Sequence, residues 1–336
     1  MKCCYNCFSK ESGIRAILSD YISDHGKCDF CGEHDVDLIE TKELIDVFAP
    51  LLDIYIISSE GESISEGIDR DWLCFERLEL SKAILTDMIK GNTKYSPILN
   101  NSVTLLDSIL KVQNDWEMFC NDIKHSNRFF VNNTLPIITD DNIFLNQQVV
   151  IKRGHEFYRA RTTNQPKALT KEEMKNPPIE HATPGRANPE GISYLYLAND
   201  IDTIMYESRS SYLDYVSVAK FKANRDLKVV SLNSIQKIDP FTPDVDLQKL
   251  LYNTKLLKII SDALSNPLRN FESKIEYVPT QYICEFIKSL GFDGINYSSA
   301  MHRNGLNYAF FSGNAFDIVD IKLYEISDSV IKYRRI

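Results

Sequence analysis

Four cysteines near the start of the chain, arranged as Cys4-x2-Cys7 and Cys28-x2-Cys31 with twenty residues between the pairs, constrain the fold more than any other feature. Two such pairs supply four thiolates at a spacing that one tetrahedral ion can gather, and zinc is the usual occupant. Cys3 adds a fifth thiol, and His25 and His34 stand near enough in sequence to substitute for one ligand. Four protein ligands leave no open position for water, so the expected zinc is structural. Five of the eight cysteines lie in the first 31 residues. In a reducing compartment such clustering favours a metal over disulfides. The opening Met1-Lys2-Cys3-Cys4-Tyr5 lacks the apolar core of a signal peptide and no apolar run is long enough to cross a bilayer, so a cytoplasmic protein without membrane association is expected.

At 336 residues the chain is long enough for two or three cores. Its 38 lysines and arginines against 47 acids give a net charge of -9, which opposes the sequence-independent phosphate attraction of nucleic-acid binders. Ile14, Ile17, Leu18, Tyr21 and Ile22 recur at helical spacing between the cysteine pairs, so residues 1–40 read as a zinc-binding module with a short helix. Residues 41–135 read as an α-helical region. One apolar face runs through Leu44, Val47, Phe48, Leu51, Leu52 and Tyr55, a second through Leu73, Phe75, Leu78, Leu80, Ile84, Leu85 and Ile89, and a third through Val103, Leu106, Ile109, Leu110, Trp116 and Phe119. Pro136 and the paired aspartates and asparagines between Asn132 and Asn146 break the pattern and mark a boundary.

Beyond that boundary, residues 145–330 read as mixed α and β. Strand-like runs occur at Gln148–Ile151, Ile192–Leu197, Tyr215–Phe221, Leu227–Leu232, Gly294–Tyr297 and Tyr308–Phe311, with helical stretches at Asp202–Ser210, Leu247–Leu264 and Thr280–Leu290. Pro166–Pro189, rich in proline and polar residues and flanked by strand-like sequence, predicts a long functional loop. The expected class is α+β: a zinc-binding and helical part followed by a mixed α/β domain.

Several motifs follow one another in this second half. Phe157-Tyr158-Arg159-Ala160-Arg161 precedes Gly185-Arg186-Ala187-Asn188-Pro189-Glu190-Gly191, then Tyr194-Leu195-Tyr196-Leu197-Ala198 and Glu207-Ser208. Later come Pro279-Thr280-Gln281, Gly291-Phe292-Asp293-Gly294-Ile295, Tyr297-Ser298-Ser299-Ala300, and Asn307 ahead of Ala309-Phe310-Phe311. In this order the segment from about residue 150 to 325 resembles the RES domain. The resemblance implies an ADP-ribosyltransferase-like fold and consumption of NAD⁺ by hydrolysis, phosphorolysis or ADP-ribose transfer, in many members as a toxin. It implies an NAD⁺ pocket with Arg159, Arg186, Tyr196, Glu207 and Ser299 as catalytic residues, and with Arg161, Gln281, Ser298 and Asn307 as further binding residues. Many RES domains have proline where this chain has Ser298, which leaves Ser298 and Ser299 both open for the serine role.

The residue types suit that chemistry. Cleavage of the nicotinamide–ribose bond passes through a sugar cation that a carboxylate such as Glu207 stabilises. Guanidinium forks such as Arg159 and Arg186 bind pyrophosphate oxygens in pairs, an aromatic ring such as Tyr196 stacks on a cationic nicotinamide, and a serine hydroxyl holds a ribose hydroxyl or the carboxamide. Taken singly, each has a plainer reading as core aromatic, surface ion pair or turn residue. Helical regions joined to RES domains resemble HEPN modules, but no histidine here stands in an Arg-x4-His spacing, so a ribonuclease is not expected. His155-Glu156 lacks the second histidine of a zinc peptidase motif.

The expected function is an NAD⁺ glycohydrolase or phosphorylase acting as an intracellular toxin or defence effector. ADP-ribosylation of a protein or nucleic acid, and dinucleotide sensing without turnover, are the alternatives. An antitoxin or activating partner and a homo-oligomer are the expected assemblies, because an unrestrained NAD⁺-consuming enzyme poisons its own cell.

Overall fold

The structure is a computed structural model that describes residues 1–131, 135, 142–235, 239–266 and 274–328. Asn132 and Pro136, on which the expected boundary rests, lie outside the described residues. The chain divides into two compact units, Met1–Val112 with Lys237–Lys255, and Gln113–Gln236 with Leu256–Ile336.

In the first unit, β1 (Lys2–Cys3), β2 (Ile22–Gly26) and β3 (Val36–Glu40) form an antiparallel sheet in the order β1-β3-β2. Helices follow at Ile45–Leu52, Ile64–Trp72 and Leu78–Ile89. The second starts where Ser63 and Glu66 exchange side-chain and backbone hydrogen bonds in a capping box. The cysteine module and the helices share one core: Phe8 stacks on Phe75 at 5.3 Å and Phe75 on Phe48 at 5.6 Å. Leu247, Leu250 and Leu251, from the returning segment, are buried in the same core. The compact units therefore cut the chain differently from the three consecutive segments expected above.

The region 41–135 is also not wholly helical. β4 (Tyr55–Glu62) pairs with β5 (Val103–Leu105) in an antiparallel ribbon. Tyr55-Ile56-Ile57 favours extended backbone. Gly61 permits a close approach at the irregularity between Ile57 and Glu62, since a Cβ there would lie 2.1 Å from the Val103 carbonyl oxygen. Leu73, expected on a helical face, is instead the left-handed cap (φ 50) that ends one helix before Leu78 begins the next. Trp116 and Phe119 ride on the helix Val112–His125, and Phe119 meets Tyr282 within the second unit.

The second unit is built on one eight-stranded sheet. β6 (Gln148–Ile151), β7 (Glu156–Thr163), β8 (Leu195–Ala198), β9 (Tyr215–Ala223), β10 (Leu227–Ser231), β11 (Gly294–Ser298), β12 (Leu306–Phe310) and β13 (Phe316–Glu325) run in the order β13-β9-β7-β8-β12-β11-β10-β6. Among the described residues only β10 and β11 pair in parallel. Side chains alternate across the strands, which separates two apolar faces. Phe157, Leu195, Leu197, Phe221, Tyr308 and Phe310 pack on one face with Met174. Ala198, Val216 and Val218 pack on the other with Ile204. β7 and β8 touch at a single pair, Tyr158 and Ala198. The strands β7 and β13 escaped the sequence reading, because Arg159, Arg161, Asp317, Asp320 and Lys322 break their apolar alternation. The expected loop Pro166–Pro189 contains two short helical turns, Lys171–Met174 and the 3-10 turn Ile179–His181. No described helix is long and apolar enough to cross a membrane.

Candidate active site and cysteine cluster

The helix Ile201–Ser208 begins at Asp200, whose carboxylate accepts the Thr203 amide at 2.6 Å, and ends at Arg209 with φ 51. Its spacing puts Thr203 and Glu207 on one face, one turn apart. Glu207 Oε1 accepts two hydrogen bonds, from Ser299 Oγ at 2.6 Å and from Asn307 Nδ2 at 2.7 Å. Among the described residues no hydrogen bond falls on Oε2. Asn307 is buried in β12, opposite Tyr297 of β11. Ser299 opens the turn after β11, and its Oγ accepts the amides of Met301 (3.2 Å) and His302 (3.1 Å). Ser298, at the end of β11, is exposed. Of the two serines left open by sequence, only Ser299 meets Glu207.

A second constellation surrounds the Gly-Arg motif. Gln281 Nε2, on the helix Val278–Ser289, donates to the Gly185 carbonyl at 2.8 Å, and Thr280 Oγ1 donates to that of Arg186 at 2.7 Å. The Tyr196 hydroxyl donates to Asn188 Oδ1 at 2.7 Å and accepts the Ala187 amide at 3.2 Å. Asn188 Nδ2 ties the carbonyls of Thr183, Pro189 and Ile192 together. Gly185 has no room for a side chain, since a Cβ would lie 2.6 Å from Asn188 Oδ1. Arg186 Nη1 donates to the carbonyls of Leu264 (3.1 Å) and Ser265 (2.9 Å), the C-terminal end of a helix, where a cation also meets the negative end of the dipole. Burial pushes the Tyr297 phenol up, while the charge of Arg186 lowers it and that of Glu207 raises it.

Arg159 and Arg161 stand apart. The register of β7 against β9 places them on the face of Phe157, whereas Tyr196 and Asn307 alternate onto the face of Ala198. Arg159 Nη1 donates to the Met174 carbonyl at 3.2 Å and Arg161 Nη1 to that of Glu173 at 2.7 Å. Burial lowers the Arg159 guanidinium to about 9, helped by the neighbouring Arg161 charge. Burial also lowers Arg161. The pairing of Arg159 with Arg186 around one pyrophosphate, expected from sequence, is not a feature of this arrangement: each guanidinium is bonded to a different helix end.

Sequence reasoning passed over Asn188, Thr280, Tyr297 and His302. Asn188 and Thr280 sit inside motifs already quoted, and Tyr297 immediately precedes the two serines. His302 had no signal beyond its nearness to Ser299. In the first unit, the sulfurs of Cys4, Cys7, Cys28 and Cys31 all lie within 4.8 Å of one another, with Cys4 and Cys31 at 3.4 Å and Cys7 and Cys28 at 3.5 Å. About 3.8 Å separates sulfurs around a tetrahedral ion with ~2.3 Å bonds. The amides of Phe30 and Cys31 point at Cys28 Sγ, and Gly32 takes φ 79, so the second pair forms a tight turn that only glycine closes easily. Cys3 is buried outside the four. His25 lies between Asp35 and Asp37, at 3.0 and 3.1 Å, and His34 is exposed.

The family model of the RES domain matches residues 156–331, more than half of the chain. The chain belongs to the RES domain family. Glu207, Ser299 and Asn307 all lie within the matched RES segment, as do the three arginines. A solved structure, described as the crystal structure of the M. tuberculosis MbcT-MbcA toxin-antitoxin complex, is similar at 12% identity with a TM-score of 0.34, over 55% of this chain and 93% of that one. No curated protein matches the chain.

Proposed function

We propose that this RES protein cleaves the bond between nicotinamide and ribose in NAD⁺, as a glycohydrolase or phosphorylase, and acts as an intracellular toxin or defence effector restrained by a partner. The observation that carries the reading is the Glu207 carboxylate, fixed through Oε1 by Ser299 and Asn307. Fixed in this way, Oε2 becomes the oxygen that faces a developing ribose cation, and a fixed charge costs no reorganisation as the bond breaks. Nicotinamide departs neutral, taking the bonding electron pair onto its ring nitrogen, so the leaving group needs no proton. Arg159 and Arg161, half-buried on the face of the sheet opposite to Tyr196 and Asn307, are assigned no contact with the reacting ribose. Arg186, Tyr196 and Gln281 build the loop that frames the ribose side, a positioning role rather than the direct contacts expected from sequence.

The four converging thiols suit zinc as a structural ion. Cys4, Cys7, Cys28 and Cys31 would hold it, and nothing in the reaction passes through it. The test of function is incubation of the purified protein with NAD⁺, with and without phosphate, and identification of the products. ADP-ribose marks hydrolysis, its 1″-phosphate marks phosphorolysis, and label transferred to a macromolecule marks ADP-ribosylation. NAD⁺ left intact in the presence of cell extract as well as alone refutes the enzyme and leaves dinucleotide binding as the reading.

A further inference from the structure

The side chain of His302 is held at the same helix face as Glu207. Its Nδ1 lies 2.8 Å from Thr203 Oγ1, which in turn lies 2.9 Å from Asp200 Oδ2. A carboxylate only accepts, so the single hydroxyl proton of Thr203 goes to Asp200 and the hydroxyl oxygen must receive a proton from His302 Nδ1. That order fixes the ring as the Nδ1–H form and leaves Nε2 with its lone pair. The imidazole also stacks on Tyr206, the neighbour of Glu207, at 5.2 Å and 11°. Its own amide supports Ser299 Oγ, which bonds Glu207. A buried threonine, an acid at the helix cap and an aromatic plane thus orient one partly exposed histidine in the turn whose Ser299 bonds Glu207. This is the arrangement by which a base is aimed, with a third group behind it.

We infer that His302 Nε2 accepts the proton of the attacking water, an inference that rests on the NAD⁺ reading above and selects hydrolysis within it. The water oxygen bonds to the ribose C1′ as the bond from C1′ to nicotinamide breaks. The bonding pair neutralises the pyridinium nitrogen, and the one proton released from water passes to Nε2. Glu207 is thereby left to stabilise the sugar cation, and the two roles fall on two residues linked through Ser299, whose Oγ bonds Glu207 and accepts the His302 amide.

The experiment is steady-state turnover of NAD⁺ by the full chain and by His302→Asn, with NAD⁺ binding measured by calorimetry. Asparagine retains a donor at the Nδ1 position for Thr203 and removes Nε2 together with the ring stacked on Tyr206, so rescue by imidazole separates the lost base from the lost packing. The expected result is a fall in kcat of about 10²-fold with KM unchanged, restored in part by added imidazole. A kcat within threefold of the parent, or a fall that imidazole does not restore, overturns the role of His302 and leaves the NAD⁺ reading standing. A parent chain that never consumes NAD⁺ overturns both.

Discussion

At the scale of residues, Glu207 and Arg186 separate once their contacts are known. Glu207→Gln keeps an oxygen that can accept from Ser299 and Asn307, so it is expected to melt near the parent temperature while losing NAD⁺ cleavage by on the order of 10²–10³-fold. Arg186→Ala removes the guanidinium that closes a helix end at Leu264 and Ser265, and is expected to cost stability as well, about 1.5–3 kcal/mol in a denaturant titration. Equal stability of the two variants would contradict the capping role. Arg159 makes a prediction about pH. Its proton is bound less tightly in the folded chain, at about 9, than in the unfolded one, so between about 9 and the ordinary guanidinium value the unfolded state carries more protons. Stability contributed by this group therefore rises with pH across that window, and below it the buried charge is a steady cost. Arg159→Gln, which keeps a donor toward Met174, is expected to raise the melting temperature at pH 7.5 and to flatten the rise above pH 9 relative to the parent. A lowered melting temperature would show that the charge is already compensated.

At the scale of elements, the cysteine cluster is tied into the helices by Phe8, Phe48 and Phe75. Metal removal is therefore expected to loosen more than the first forty residues. One zinc per chain is expected by elemental analysis. A strong chelator should lower the melting temperature and raise amide exchange in the helices Ile45–Leu52 and Leu78–Ile89 as well as in β1 to β3. Exchange confined to residues 1–40 would mean that the cluster is an independent module. The loop from Gly185 to Ile192 is fixed by different means, through Asn188, Tyr196, Thr280 and Gln281. Each of those side chains has its hydrogen bonds committed to backbone or to one another, which is why the loop holds one conformation without regular secondary structure.

At the scale of the whole molecule, the first unit is built from two stretches of chain, and the helix Leu247–Ser265 contributes its first turns to it. Deleting residues 1–112 uncovers Leu247, Leu250 and Leu251, each worth about 1.5–3 kcal/mol of burial. The truncated protein is expected to aggregate, as read by light scattering, even though the matched RES segment is retained. A soluble, monodisperse truncation would show that the returning segment can do without its core.

Local patterns determined much of this protein. The Cys-x2-Cys pairs predicted the cluster of four sulfurs because such ligands must be close in chain to share an ion. Most strands of the second unit were legible from runs such as Tyr215–Phe221, since burial on both faces demands continuous apolar sequence. The order of the motifs named the family and brought Glu207, Ser299 and Asn307 forward together. Only the tertiary structure decided the rest. That Ser299 and not Ser298 bonds Glu207 depends on which way a turn points after β11. The separation of Arg159 from Arg186 depends on strand register, where one residue switches a side chain to the other face. The contact of His302 with Thr203 and the return of Leu247 to the first core join residues distant in chain, and pairing at that range depends on packing that no local spacing encodes.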